Sequence, residues 1–145
     1  MDDPAPKAAS LGRRLGSACY EALLLAAILF AATWVFLAVQ PLLRAELARP
    51  LYQLYLLIVC GAYFIYCWTR GGQTLPMKTW RIRIVGRAGE TPTTKQAALR
   101  YISALLSLAL AGGGFLWALI DRDGQFLHDR LAGTRIVFDE RGAGS

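Results

Sequence analysis

Apolar residues gather into three long runs, at residues 18–39, 51–68 and 97–120, and polar residues fill the segments between them. Each run is close to the roughly 20 residues that an α-helix needs to cross a hydrocarbon core. A small soluble domain has no core large enough to hide three helices that are apolar all round. The pattern therefore predicts an all-α transmembrane protein, with two spans and a third apolar run whose path is open.

Shorter patterns appear between the runs. Residues 79–85 read TWRIRIV, where Trp80, Ile82 and Ile84 alternate with Arg81 and Arg83. Period two is the mark of a half-buried strand. Gly86, Gly89 and Pro92 then punctuate a turn. Residues 134–139 read TRIVFD, also strand-like, and pairing of the two would close a small β element over the helices. The connector 40–50 carries Pro41 and Pro50, residues that suit the end of one helix and the start of the next, so the first two spans form an antiparallel hairpin. Trp34, Tyr52 and Tyr55 lie at its turn, and Tyr66, Trp68 and Arg70 at its far end, as expected of interfacial belts. Residues 1–10 and 140–145 read as disordered tails around a membrane domain at 11–139.

The third run contains Gly112, Gly113 and Gly114. Consecutive glycines are poor helix formers. They either break the run into a re-entrant hairpin of 97–111 and 115–120, buried against protein, or sit in one continuous span and give close helix packing. The distribution of cations bears on this choice. Segment 69–96 carries Arg70, Lys78, Arg81, Arg83, Arg87 and Lys95 against Glu90 alone, and Arg13 and Arg14 precede the first run. Positive-inside topology puts both segments in the cytoplasm. A continuous third span would leave 121–145 outside; the broken form returns the C-terminus to the cytoplasm and lets the strands pair. The broken form is the one expected, because a glycine run fills a lipid-exposed helix poorly. The basic-then-apolar start mimics a signal peptide, but the length of the run and Glu21 near its start argue for a retained span in a bacterial inner membrane.

Composition agrees with this picture. The chain is 55% hydrophobic, with a mean hydropathy of +0.37. Its net charge is +6, from 16 Lys and Arg against 10 Asp and Glu. No aromatic-basic stripe or groove-reading motif accompanies the cations. Anionic lipid headgroups are therefore the expected partner and nucleic acid is not. Cys19, Cys60 and Cys67 lie within or beside apolar runs, without a CxxC, and read as packing residues.

Glu21 sits about one turn inside the first run, where a charge requires a partner or water. Arg14 lies seven positions earlier, two turns along the same face. Residues 120–134 read IDRDGQFLHDRLAGT. Asp121, Asp123 and Gly124 echo a calcium loop, but position twelve is Ala132 where the loop requires Glu. His128 stands without a second His or Cys, so no zinc site is expected. Asp129 reads as an acceptor for backbone amides or a partner for an arginine. No hydrolase, Walker or zincin motif occurs, so neither an enzyme nor a cofactor is expected.

Taken in order, these segments resemble the RDD family of small membrane proteins: R-R-L before the first run, an acid seven residues after the second arginine, GGQTLPMKTWRIRIV, and FLHDRLAGTRIV. The resemblance covers about residues 11–138. It implies a signature of one arginine and two acids at Arg14, Glu21 and Asp129, with Arg13 a one-residue alternative to Arg14, and with His128 and Arg130 as supporting neighbours. Glu21 stands where the family carries aspartate, and Pro76 where glycine is expected. The resemblance further implies that the three signature groups cluster near one membrane face. Its functional implication is twofold: a non-enzymatic membrane module or assembly subunit, associating with another membrane protein or with itself, or a cation/proton antiporter or channel-like oligomer using Glu21 and Asp129.

Overall fold

The computed structural model describes residues 9–110 and 127–140. It is mostly helical. Helix α1 spans Leu11–Val39 and α2 spans Ala45–Gly71. At 1.5 Å per residue, the 29 residues of α1 extend about 43 Å. Both helices are long and apolar enough to cross a membrane. Their outward side chains, among them Leu23, Phe30, Trp34, Val35, Leu54 and Ile58, are exposed, as they must be where the solvent is hydrocarbon.

Helix α1 begins at Leu11, well before the apolar run at 18. Hydrophobicity marks the part that meets lipid, whereas the helix itself continues through Arg13 and Arg14, both good helix formers. A 3-10 turn at Gln40–Leu42, opened by Pro41, joins it to α2. Pro50 lies inside α2, whereas the sequence pattern put it at the start of that helix. The helix starts earlier, at Ala45, with Glu46 in its first turn facing the positive end of the helix dipole. Helix α2 ends at Gly72, whose φ of 70° and ψ of 13° form a left-handed cap, with its N–H donating to the Trp68 carbonyl at 2.9 Å.

A short helix, α3 at Leu75–Thr79, follows where the sequence suggested only a turn. Thr74 is its N-cap and Pro76 sits in its first turn, where a missing N–H costs nothing. Arg81 then takes a positive φ of 52°. Strand β1 therefore starts at Ile82 and runs to Gly86, without Trp80 and Arg81. It pairs antiparallel with β2, Thr134–Phe138, in the register Ile82↔Phe138 to Gly86↔Thr134. One further backbone bond reaches each edge of this two-stranded sheet. Ile84 N–H donates to the Gly72 carbonyl at 2.7 Å, and Ala9 N–H donates to the Ile136 carbonyl at 3.3 Å.

Helix α4 occupies Thr94–Ala109 and opens with a capping box between Thr93 and Gln96. It lies antiparallel to α2: the Tyr101 hydroxyl reaches the Leu57 carbonyl at 2.8 Å, while Arg100 stacks over Trp68 nearer the sheet. Helix α5, Leu127–Ala132, leads through Gly133 (φ 66°) into β2. The core comprises Ala9, Trp68, Met77, Ile82, Ile84, Ala97 and Ile136, backed by Phe64, Ile65 and Tyr101. It sits where the sheet meets the helix ends rather than midway between the spans. The third apolar run is helical from its start to Ala109; its triple glycine at 112–114, and with it the choice between broken and continuous forms, lies outside the described residues.

Candidate functional site

The buried residues in the first half of α1 are Arg14, Ser17 and Glu21. Those of α4 are Ala97, Arg100, Ser103 and Ser107. In both helices the spacing of three and four places polar side chains on one face. Two amphipathic helices thus turn polar stripes inward and leave leucines outside, the reverse of a soluble bundle.

The two stripes meet α5 at Asp129, which is 0% exposed. Arg14 Nη2 donates to Asp129 Oδ2 at 3.1 Å. Arg100 Nη1 donates to Asp129 Oδ1, and also to Thr134 Oγ1 at 3.0 Å. One carboxylate therefore bridges two guanidiniums from helices remote in sequence. Such charge-assisted bonds compensate the cost of burying the ions only while all partners are present.

Glu21 is buried in the same region but has different partners. Tyr63 hydroxyl donates to its Oε1 at 2.7 Å, and Thr74 hydroxyl donates to its Oε2. Thr74 Oγ1 in turn accepts from Met77 N–H at 3.4 Å, so the residue that caps α3 also holds the acid of α1. Glu21 thus fastens α1 to α2 and to the start of α3. Asp129 fastens α1 to α4 and α5.

Arg13 points elsewhere. It donates to the Trp80 carbonyl at 3.2 Å and its guanidinium lies 4.9 Å over the Phe138 ring. Trp80 in turn lies on Gly16, where an added Cβ would come within 2.6 Å of the indole. Arg14 rather than Arg13 is therefore the arginine that meets Asp129. Arg130 is exposed in the last turn of α5, and His128 belongs to the same helix. Among the described residues no group of three His, Cys, Asp or Glu is placed to hold a metal ion.

Arg100, Thr134, Tyr63 and Thr74 belong to this cluster and were not singled out from sequence. A signal existed for one of them. Arg100 interrupts the third apolar run close to its start, as Glu21 interrupts the first. A charge in that position asks for a buried partner.

With a buried arginine on α1, an acid one pair of turns later and an aspartate in the HDRLAGT segment all at one end of the spans, the comparison with known families is decisive. The RDD family model matches residues 8–133. The chain belongs to the RDD family. No curated protein and no solved structure matches it. Membership in the RDD family and the two long apolar helices identify a membrane protein. In this RDD chain the Glu21 carboxylate accepts from both Tyr63 and Thr74.

Proposed function

We propose that this RDD chain is a non-enzymatic module of a bacterial inner membrane, acting as a subunit or assembly partner, with its charged cluster serving to hold the module together. One observation carries the reading. Asp129 is wholly buried and accepts from two arginines, and both oxygens of Glu21 accept from hydroxyls. The acids are engaged in joining helices. The exposed apolar sides of α1 and α2 are then the surfaces offered to lipid, to a second membrane protein or to another copy.

In this reading the sheet faces the cytoplasm. Exposed Arg70, Lys78, Arg81, Arg87 and Lys95 border it, which supports a positive-inside orientation and contact with anionic headgroups. Ala9, β1 and β2 lie together at that end, which supports a cytoplasmic position for both termini. Purification in mild detergent is expected to recover a second membrane protein or a defined self-assembly. A monodisperse monomer would overturn the subunit reading.

A second reading, cation/proton antiport by an oligomer, draws support from Glu21, which lines a cavity as well as joining helices. It predicts pH-dependent cation flux in proteoliposomes that Glu21→Gln abolishes while the protein stays folded. Wild-type protein without flux removes this reading.

A further inference from the structure

The mouth of the α1–α2 hairpin, at the end away from the sheet, holds a pocket of about 430 Å³. On α2 its lining residues are Ala45, Ala48, Arg49 and Tyr52, spaced by three, one and three so that they share one helix face. Phe36 and Gln40 stand across from them. Facing stripes of two antiparallel helices ordinarily fill the space between them with large side chains. Here the alanines at 45 and 48 leave it open, above the Tyr52–Thr33 hydroxyl bond that ties the helices together.

Arg49 and Gln40 are both exposed, so their polar groups are open to an incoming ligand. Neither side chain has a hydrogen bond or ion pair among the described residues. Glu46, the only acid between Glu21 and Glu90 in the sequence, does not line the pocket. The pocket therefore carries an uncompensated cation.

Its depth in the bilayer follows from the helices. The 29 residues of α1 extend about 43 Å, more than the roughly 30 Å of a hydrocarbon core. The apolar run of α2 begins at Leu51, six residues after the helix starts at Ala45, and those six rise about 9 Å. Trp34, 63% exposed, and Tyr52 mark the boundary between the two regions. Arg49 thus stands at headgroup level, where the anion at hand is the lipid phosphodiester. A guanidinium fork matches phosphate oxygens in pairs.

We propose that this pocket seats the headgroup of one phospholipid from the leaflet at the turn end. Arg49 donates to the phosphodiester oxygens and the Gln40 carboxamide adds a further N–H. The glycerol lies against Phe36 and Ala48, and the acyl chains leave along the lipid-facing sides of the helices. The volume suits a small ligand, for which pockets run to about 300–1,000 Å³. The site lies at the opposite end from the basic residues around the sheet, and it is independent of whether the chain acts as a subunit or a transporter.

Native mass spectrometry of the full chain, released from mild detergent with added phosphatidylglycerol, tests this. One saturating adduct per chain is expected, and none with diacylglycerol of the same acyl chains. Arg49→Gln should weaken retention about tenfold, as loss of a charge-assisted hydrogen bond does. Ala48→Phe, which fills the pocket, should remove the adduct, whereas Arg70→Gln at the sheet end should leave it unchanged. No adduct, equal retention of diacylglycerol or of a fatty acid, equal retention by the Arg49 or Ala48 variant, an equal loss in the Arg70 variant, or an adduct of inorganic phosphate in place of the lipid would each overturn the proposal. A second measurement uses the unaltered chain, in case those variants do not fold. Phosphatidylglycerol bearing a photoreactive group on its glycerol headgroup is expected to label Phe36, Ala45 or Ala48. Equal labelling of Leu42 and Leu47, exposed near the same depth outside the pocket, would overturn it.

Discussion

The two ends of the α1–α2 hairpin are held in different ways. At the turn, Thr33 and Tyr52 share a hydroxyl bond of 2.7 Å, and Phe36 packs against Tyr52 and Tyr55 with ring centroids 5.0 and 5.7 Å apart. These contacts are local, lie within two adjacent helices and involve no ion. At the sheet end, buried ions and hydroxyls join α1 to α2, α3, α4 and α5, with partners as much as 115 positions apart. The difference reflects the solvent. Apolar burial contributes little between helices already dissolved in hydrocarbon, so contacts that must select one arrangement of many elements are polar. The turn end needs only a close helix pair, which the short connector already enforces.

The contrast predicts a graded response to mutation. Asp129→Ala strips two buried arginines of their bridging acceptor and should have the largest effect, about 3–5 kcal/mol for one partner removed from a buried pair. Thermal unfolding in detergent measures it, and a variant as stable as the parent would mean that the cluster does not hold the fold. Gly72→Ala comes next. The new Cβ would sit 2.3 Å from the Ile84 carbonyl oxygen in a left-handed backbone, so a loss of about 1–3 kcal/mol is expected from strain. Equal stability would show that β1 shifts freely. Thr33→Val, at the turn end, should cost least, near the average of about 0.6 kcal/mol measured for hydrogen bonds between membrane helices. A Thr33 variant as damaged as the Asp129 variant would erase the distinction between the two ends.

Much of this organisation could be read from the sequence, for identifiable reasons. The two spans were legible because lipid exposure demands unbroken apolar runs. The strands were legible because a sheet with one covered face imposes alternation, as in Ile82 and Ile84 against Arg83. Helix α3 was not, since Pro76 and the preceding glycines look alike in a turn and in a short helix's first turn. Arg14, Glu21 and Asp129 stood out as charges beside apolar runs or through the family pattern. Tyr63, Thr74 and Thr134 did not, because hydroxyls are common in such segments and only three-dimensional proximity distinguishes these three. Arg100 carried a readable signal that the surrounding alanines and leucines masked. The division of labour between Glu21 and Asp129 also required geometry, since spacing along α1 relates Arg14 to Glu21 but says nothing of which partner each chooses.

The separation of Arg14 from Asp129 also bears on biosynthesis. Arg14 leaves the ribosome 115 positions before Asp129. Over that interval α1 lacks the carboxylate that bridges it to Arg100. The bridge is completed only once α5 is made, and β2 follows within a few residues to pair with β1. A nascent chain that stops short of α5 lacks the acid for both arginines at once, so two buried cations are left uncompensated together.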